Sequence, residues 1–227
     1  MAMAGTILIS GAGIAGLTLA TLLKEQGHDL VVVERDRALR AEGYMMDFFG
    51  SGWDVAERMG LVPELRKIRY PIDALQFVDG SGQVYASVPI ARVARALDDK
   101  YVYLRRSDLE RILYDRASEA GVDVDFDREI TALEETSAGV HVTFNDGSDG
   151  EFALVFGADG VHSGVRRLVF GDEKQFARFL GGHVAAYHLD DPSFELGRAL
   201  KLHEETDRVS AFYPLDDRRL AATYVLP

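Results

Sequence analysis

Apolar and polar positions follow two different periods within the first 34 residues. Ile7-Leu8-Ile9 is a continuous apolar run of strand type that stops at Gly11. A helical pattern starts near Ile14 and ends at Lys24-Glu25-Gln26-Gly27, where Gly27 is a natural C-cap. A second apolar run, Leu30-Val31-Val32-Val33, ends on Glu34. Strand, glycine turn, helix and strand within about 30 residues make a βαβ unit. The stretch Thr6–Leu23 has the length of a membrane span, but the glycines divide it into a buried strand and a buried helix. The leading "MAMAGT" has no basic residue to serve a signal peptide, and no membrane association is expected.

The remaining pattern is mixed. A helix is expected from about Ser51 to Met59, closed by Gly60. "ALQFVDGSGQVYASVPI" reads as a hairpin turning at Asp79-Gly80-Ser81-Gly82. In "RRSDLERILYDRASEAG", Ser107 and Glu110 have capping-box spacing, and Leu109, Ile112 and Leu113 form an apolar stripe. Strands are expected at Val122–Phe126, Glu129–Thr136, Val140–Phe144 and Phe152–Phe156, with a turn at Asn145-Asp146-Gly147. Beyond Gly171 the chain reads as antiparallel sheet: His183–Leu189, Ala199–His203, Arg208–Tyr213 and Leu220–Leu226.

Composition narrows the function classes. The 227 residues suffice for one large or two small domains. A net charge of −12 disfavours nucleic acid, and the doublets Arg105-Arg106, Arg166-Arg167 and Arg218-Arg219 are scattered among acids. Cysteine is absent, which excludes disulfides and thiolate metal sites and fits a reducing, cytoplasmic compartment.

The glycines have physical tasks in a dinucleotide site. Gly11 allows the tight turn, Gly13 lets the backbone approach a pyrophosphate, and Gly16 lets the helix pack closely on the strand. The helix N-terminus supplies free N–H groups and partial positive charge. Glu34 stands where an acid binds a ribose diol and disfavours a 2′-phosphate, an argument softened by Arg35 and Arg37. The fingerprint alone does not separate NAD from FAD. Other chemistries find little support. His183 and His188 are five apart on an expected strand, hence on opposite faces, which argues against a shared metal. His203-Glu204-Glu205 is not H-E-x-x-H, and there is no G-x-S-x-G elbow.

Three motifs together, the GxGxxG–Glu34 unit, the R-x-x-L of Arg106 to Leu109, and "GADGVHSGVR" from Gly157, resemble the flavoprotein aromatic hydroxylases. These are FAD-dependent monooxygenases of the para-hydroxybenzoate hydroxylase type. The resemblance implies an α/β fold with a Rossmann-like FAD-binding βαβ domain (residues 1–72 and 100–175) and an antiparallel β-sheet substrate domain (73–99 and 176–227, incomplete) that the 74–88 hairpin joins. It gives Gly11, Gly13, Ala15 and Gly16 to the FAD pyrophosphate and Glu34 to the adenosine ribose. Arg35 and Arg40 go near the ADP moiety, and Arg106, Asp159 and Gly160 to FAD contacts, with Ser163 and Arg166 in the same pattern. Asp47 is placed near the flavin or the substrate, and Phe77, Tyr187, Phe212, Tyr213 and Tyr224 are candidates for the cavity wall.

The implied reaction uses NAD(P)H and O2 to hydroxylate an aromatic or polyketide-like substrate through a flavin C4a-hydroperoxide, with no protein nucleophile. The family's second flavin motif, Gly-Asp followed by small residues, is missing; Gly171-Asp172 is followed by the charged Glu173-Lys174. The chain therefore reads as C-terminally truncated or as half of a split enzyme, prone to self-association, binding FAD weakly and hydroxylating poorly. The alternatives are a related FAD-binding reductase without oxygen insertion or a non-catalytic subunit. A halogenase is disfavoured because Trp53 is the sole tryptophan and G-W-x-W-x-I-P is absent.

Overall fold

The computed structural model describes residues 5–40, 43–190, 197–215 and 219–227. In chain order the first half carries β1 (Ile7–Ser10), α1 (Ile14–Glu25), β2 (Leu30–Glu34), β3 (Met45–Phe49), α2 (Ser51–Arg58), α3 (Val62–Lys67), β4 (Ala74–Val78), β5 (Val84–Pro89), α4 (Ile90–Ala96), β6 (Tyr101–Arg105) and α5 (Arg106–Glu119). The second half carries β7 (Val124–Phe126), β8 (Ile130–Thr136), β9 (Gly139–Phe144), β10 (Asp149–Phe152), β11 (Leu154–Gly157), α6 (Gly164–Phe170), β12 (His183–Asp190), β13 (Ala199–Glu205), β14 (Arg208–Pro214) and β15 (Arg219–Leu226). They form two compact units, Met1–Gly43 with Ser107–Arg178, and Tyr44–Arg106 with Phe179–Pro227.

In the first unit a parallel sheet runs in the order β11-β1-β2-β7. β1 is central, and Ile7, Leu8 and Ile9 are all buried, so a sheet covered on both faces explains the unbroken apolar run. Leu8 and Val33 pack against Ile130, Val142 and Phe144 of an antiparallel sheet in the order β10-β9-β8. The expected strand Phe152–Phe156 is two strands. β10 pairs with β9, the chain turns at Ala153, whose amide donates to the Thr6 carbonyl (2.9 Å), and β11 then pairs with β1.

The second unit is a six-stranded sheet in the order β12-β15-β14-β13-β4-β5, which the hairpin β4–β5 joins through the parallel pair β13–β4, and a two-stranded ribbon, β3–β6. Residues 44–72 and 100–106, assigned to the FAD segment on sequence, pack in this unit. Their reason is apolar: Met45, Tyr101 and Tyr103 of the ribbon share a core with Tyr213, Leu215 and Ala221 of the sheet. Tyr103 and Tyr213 meet edge to face at 6.1 Å, and the Tyr213 hydroxyl accepts from the Met45 amide (3.2 Å).

The capping box at Ser107 does not form. β6 ends at Arg105 and α5 begins at Arg106, so Ser107 lies inside the first turn. The ribbon sets this start: the Arg106 amide donates to the Tyr44 carbonyl (3.0 Å). Leu109, Glu110, Leu113 and Ala117 make the buried face of α5.

Candidate functional site

The carboxyl ends of β1, β2 and β11 lie side by side in the parallel sheet, and the loops leaving them meet there, beside the edge where the strand order departs from the chain order. The Gly11 amide donates to the Val33 carbonyl (2.7 Å), and the Ala158 amide donates to the Ser10 carbonyl (2.8 Å), so the glycine turn is tied to both neighbours. Gly11 has φ +107°, and a Cβ on it would stand 2.5 Å from the Ala158 oxygen. A Cβ on Gly16 would collide with the Gly11 carbonyl oxygen. Both glycines are thus required by the protein's own packing. Gly13 is different. It has φ −82° and caps α1, and a Cβ there would meet only ordinary contact with Glu110 Oε1, at 3.6 Å. Its missing side chain leaves open space beside the first turn of α1, where Ala15 is exposed.

No side chain caps α1, and its first turn carries no acid, so the helix end keeps its positive potential. Glu34 stands beside the turn. Its Oε2 accepts from the Ala12 amide (2.8 Å) and its Oε1 from the Asp36 amide (2.9 Å), which fixes the carboxylate while leaving each oxygen a further lone pair. Arg35, directly after β2, is exposed. Arg40 is also exposed, and its Nε donates to Asp36 Oδ2 (2.7 Å). That bond, with Asp36's charge and those of Glu34 and Glu110, holds Arg40 above the usual guanidinium value. These residues suit a dinucleotide: a turn without Cβ, an uncapped helix end, an arginine nearby and a preset acceptor.

Asp159 follows β11 and is tied to α6. Its Oδ1 accepts from the Ser163 hydroxyl (2.5 Å) and its Oδ2 from the Val165 amide (3.0 Å). Ser163 caps α6 by accepting from the Arg166 amide (2.9 Å), and Arg166 donates to the Val161 carbonyl (2.6 Å) and to Glu173 (3.3 Å). Gly160 has φ +83°, in the region that favours glycine.

Gly11, Gly13, Ala15, Gly16, Glu34, Arg35, Arg40, Asp159 and Gly160 all fall in the first unit. Arg106 opens α5, and Asp47 lies on β3 in the second unit. Asp47 is exposed, and the buried Tyr101 donates its phenol to it (2.5 Å). Burial first, and Asp47 second, push the Tyr101 phenol well above its ordinary value. Of the cavity-wall candidates, strand pairing puts Tyr187, Phe212 and Tyr224 on one sheet face and Phe77 and Tyr213 on the other. Tyr187 stacks on Tyr224 (5.6 Å, 12°), and Phe212 meets Tyr224 edge on (5.9 Å). Tyr213 is core. Sequence reasoning missed two groups, Glu110, whose cap-like spacing hid its burial, and Tyr101, which carries no motif. Among the described residues no group of three or more His, Cys, Asp or Glu is placed to hold a metal, and no helix is long and apolar enough to cross a membrane.

Comparison with known proteins agrees with this geometry. A family described as the FAD binding domain matches residues 5–226. An uncharacterised Mycobacterium tuberculosis protein, Rv1260, is 38% identical over 183 residues, covering 80% of this chain and 49% of its own. The flavin-dependent monooxygenase eupH of a Phoma species is 35% identical over 189 residues, 80% of this chain and 44% of its own. The crystal structure of tetracycline destructase Tet(55) superposes with a TM-score of 0.83 at 26% identity, over 97% of this chain and 55% of that one. The chain spans about half the length of the relatives it matches. With both the glycine turn and the sheet inside the matched span, the chain belongs to the FAD-binding domain family, whose flavoprotein monooxygenases its three motifs resemble.

Proposed function

We propose that this chain supplies the FAD site and part of the substrate sheet of an FAD- and NAD(P)H-dependent monooxygenase acting on an aromatic or polyketide-like small molecule. The observation that carries the reading is the glycine turn: Gly11 and Gly16 are demanded by packing, whereas at Gly13 the protein's own packing has room for a Cβ that the sequence does not supply. In this reading the first-turn amides of α1 bind the pyrophosphate beside Gly13 and Ala15. Glu34, set by two backbone amides, accepts from the adenosine ribose hydroxyls. Arg35 and Arg40 flank the ADP moiety, and Arg106 joins the set through its R-x-x-L pattern. Asp159 anchors its loop to α6, so that Gly160 brings bare backbone toward the cofactor.

Bound FAD, reduced by NAD(P)H, supplies the electrons with which O2 is cleaved, one oxygen atom entering the substrate and the other leaving as water. The protein's share is to hold the reactants together and exclude water. The face bearing Tyr187, Phe212 and Tyr224 offers aromatic surface for a flat substrate, and Asp47, held by Tyr101, offers a fixed acceptor. The names of relatives such as eupH support oxygen insertion. A cytoplasmic location, where NAD(P)H is at hand, goes with this reading.

The test is to incubate the chain with FAD, NAD(P)H and a panel of phenols and polyketides under 18O2. One labelled oxygen in a product, formed at low turnover, is expected. NAD(P)H consumption without label in any product would place the chain with the FAD-dependent reductases.

A further inference from the structure

We infer that β12 is an interface strand: its open edge pairs antiparallel with the β12 of a second copy of this chain, about a two-fold axis at Ala186. The inference is independent of the FAD reading. β12 and β5 are the two edges of the six-stranded sheet. The β5 edge is guarded: its register with β4 shifts at a bulge between Phe77 and Val78, and it ends on Pro89. β12 has neither device. All of its residues, His183–Asp190, pair with β15 without a register shift. From His183 to Leu189 it carries no proline, lysine, arginine or carboxylate. Its outer row of N–H and C=O groups has no strand partner among the described residues. Apolar side chains are exposed at this edge: Val184 is 71% exposed and Tyr187 47%, and Leu180, just before the strand, is 88%. A long, regular, uncharged edge beside apolar surface is a template for strand addition.

The residues of β12 select a second copy as the occupant. A two-fold axis perpendicular to the sheet keeps each face on its own side, so opposed residues share parity. Centred on Ala186, the pairing sets Tyr187 against the second copy's Ala185, Val184 against its His188 and His183 against its Leu189. Within one copy Ala185 already lies opposite Tyr224, and Tyr187 opposite Ala222. Across the joined sheets the order becomes Tyr224, Ala185, then Tyr187 and Ala222 of the second copy, so large and small side chains alternate. Centred on Tyr187 instead, the two Tyr187 rings would meet head on and Val184 would face the second copy's Asp190. Charge points the same way. The chain carries −12, so most of its surface repels another copy, whereas His183–Leu189 bring no carboxylate to the contact.

The experiment is sedimentation velocity of the full chain over a concentration series, beside Ala186→Lys and a control at the other edge, Ala86→Lys. Both alanines are exposed, and melting curves check that the variants fold. The wild type is expected to dimerise. Ala186→Lys sets two like charges opposite each other at the axis and loses the dimer, whereas Ala86→Lys keeps it. A second measurement leaves the surface charge alone. The chain has no cysteine, so Ala186→Cys carries a single thiol. Opposed residues of an antiparallel pair stand about 4.5–5.5 Å apart at Cα, within reach of a disulfide. Mild oxidation should therefore link Ala186→Cys into a covalent dimer and leave Ala86→Cys monomeric. A wild type that stays monomeric up to its solubility limit overturns the inference. So does a dimer that survives Ala186→Lys, or one that cross-links no better through position 186 than through position 86.

Discussion

The Ala12 amide donates to Glu34 Oε2 across 2.8 Å, joining the glycine turn after β1 to the last residue of β2. One carboxylate therefore shapes the turn and, in the proposed site, also serves as the ribose acceptor. Glu34→Ala strands the Ala12 and Asp36 amides and is expected to cost about 1–3 kcal/mol of stability. Glu34→Gln keeps an acceptor, costs less, and weakens FAD more than it weakens the fold. Chemical denaturation and FAD titration of both variants separate the two effects.

Gly13 and Gly16 lie three residues apart and should respond oppositely. In Gly16→Ala the new methyl collides with the Gly11 carbonyl oxygen, and overpacking costs about 1–3 kcal/mol. In Gly13→Ala the methyl finds ordinary contact at 3.6 Å with a φ of −82°, so the fold holds while FAD affinity falls at least about tenfold as the phosphate approach is blocked. Equal melting losses in the two variants would sink this division of labour.

Asp159 and Ser163 act on α6 together. Ser163→Ala removes a helix cap and is expected to cost about 1 kcal/mol. Asp159→Ala loses the acceptor of the Val165 amide as well, and the double variant should fall short of the sum because the two side chains bond each other. Urea midpoints of the four proteins form the cycle; strict additivity would contradict it.

His203 links the sheet to pH. The Val78 carbonyl first, then Glu205, raise its imidazole value, with a smaller push from the Asp79 charge. A raised folded value stabilises the protonated form. Its contribution is therefore fully present below the unfolded value of about 6.5 and is lost as pH rises through the higher folded value. The stability difference between wild type and His203→Gln should be larger in mild acid than in mild base. NMR titration of His203 checks the sign.

Much of the first unit is legible in sequence because its patterns are unambiguous: an apolar run, three glycines, a helical period and a second run ending on Glu34. The hairpin β4–β5 and the final strands are legible for the same reason, through alternation and the Asp79–Gly82 turn. The ribbon β3–β6 is not. "YMMDFF" is apolar on both faces because Phe48 packs on Trp53 while Met45 joins the Tyr213 core. "YVYLRRSDL" hides a strand that passes straight into a helix, so local capping chemistry at Ser107 and Glu110 suggests a start that tertiary pairing with Tyr44 overrides. Glu110 is illegible for that reason. Its burial depends on where α5 begins, and a partner strand far away in sequence decides that.

The most direct test of the FAD site is a fluorescence titration of the 227-residue chain with FAD, run beside Gly13→Ala and checked for monodispersity. Saturable one-to-one binding by the wild type, lost or weakened at least about tenfold in a Gly13→Ala variant that melts like the parent, is the expected result. Absence of binding by the folded wild type, or equal binding by both proteins, would contradict the assignment of the glycine turn to FAD.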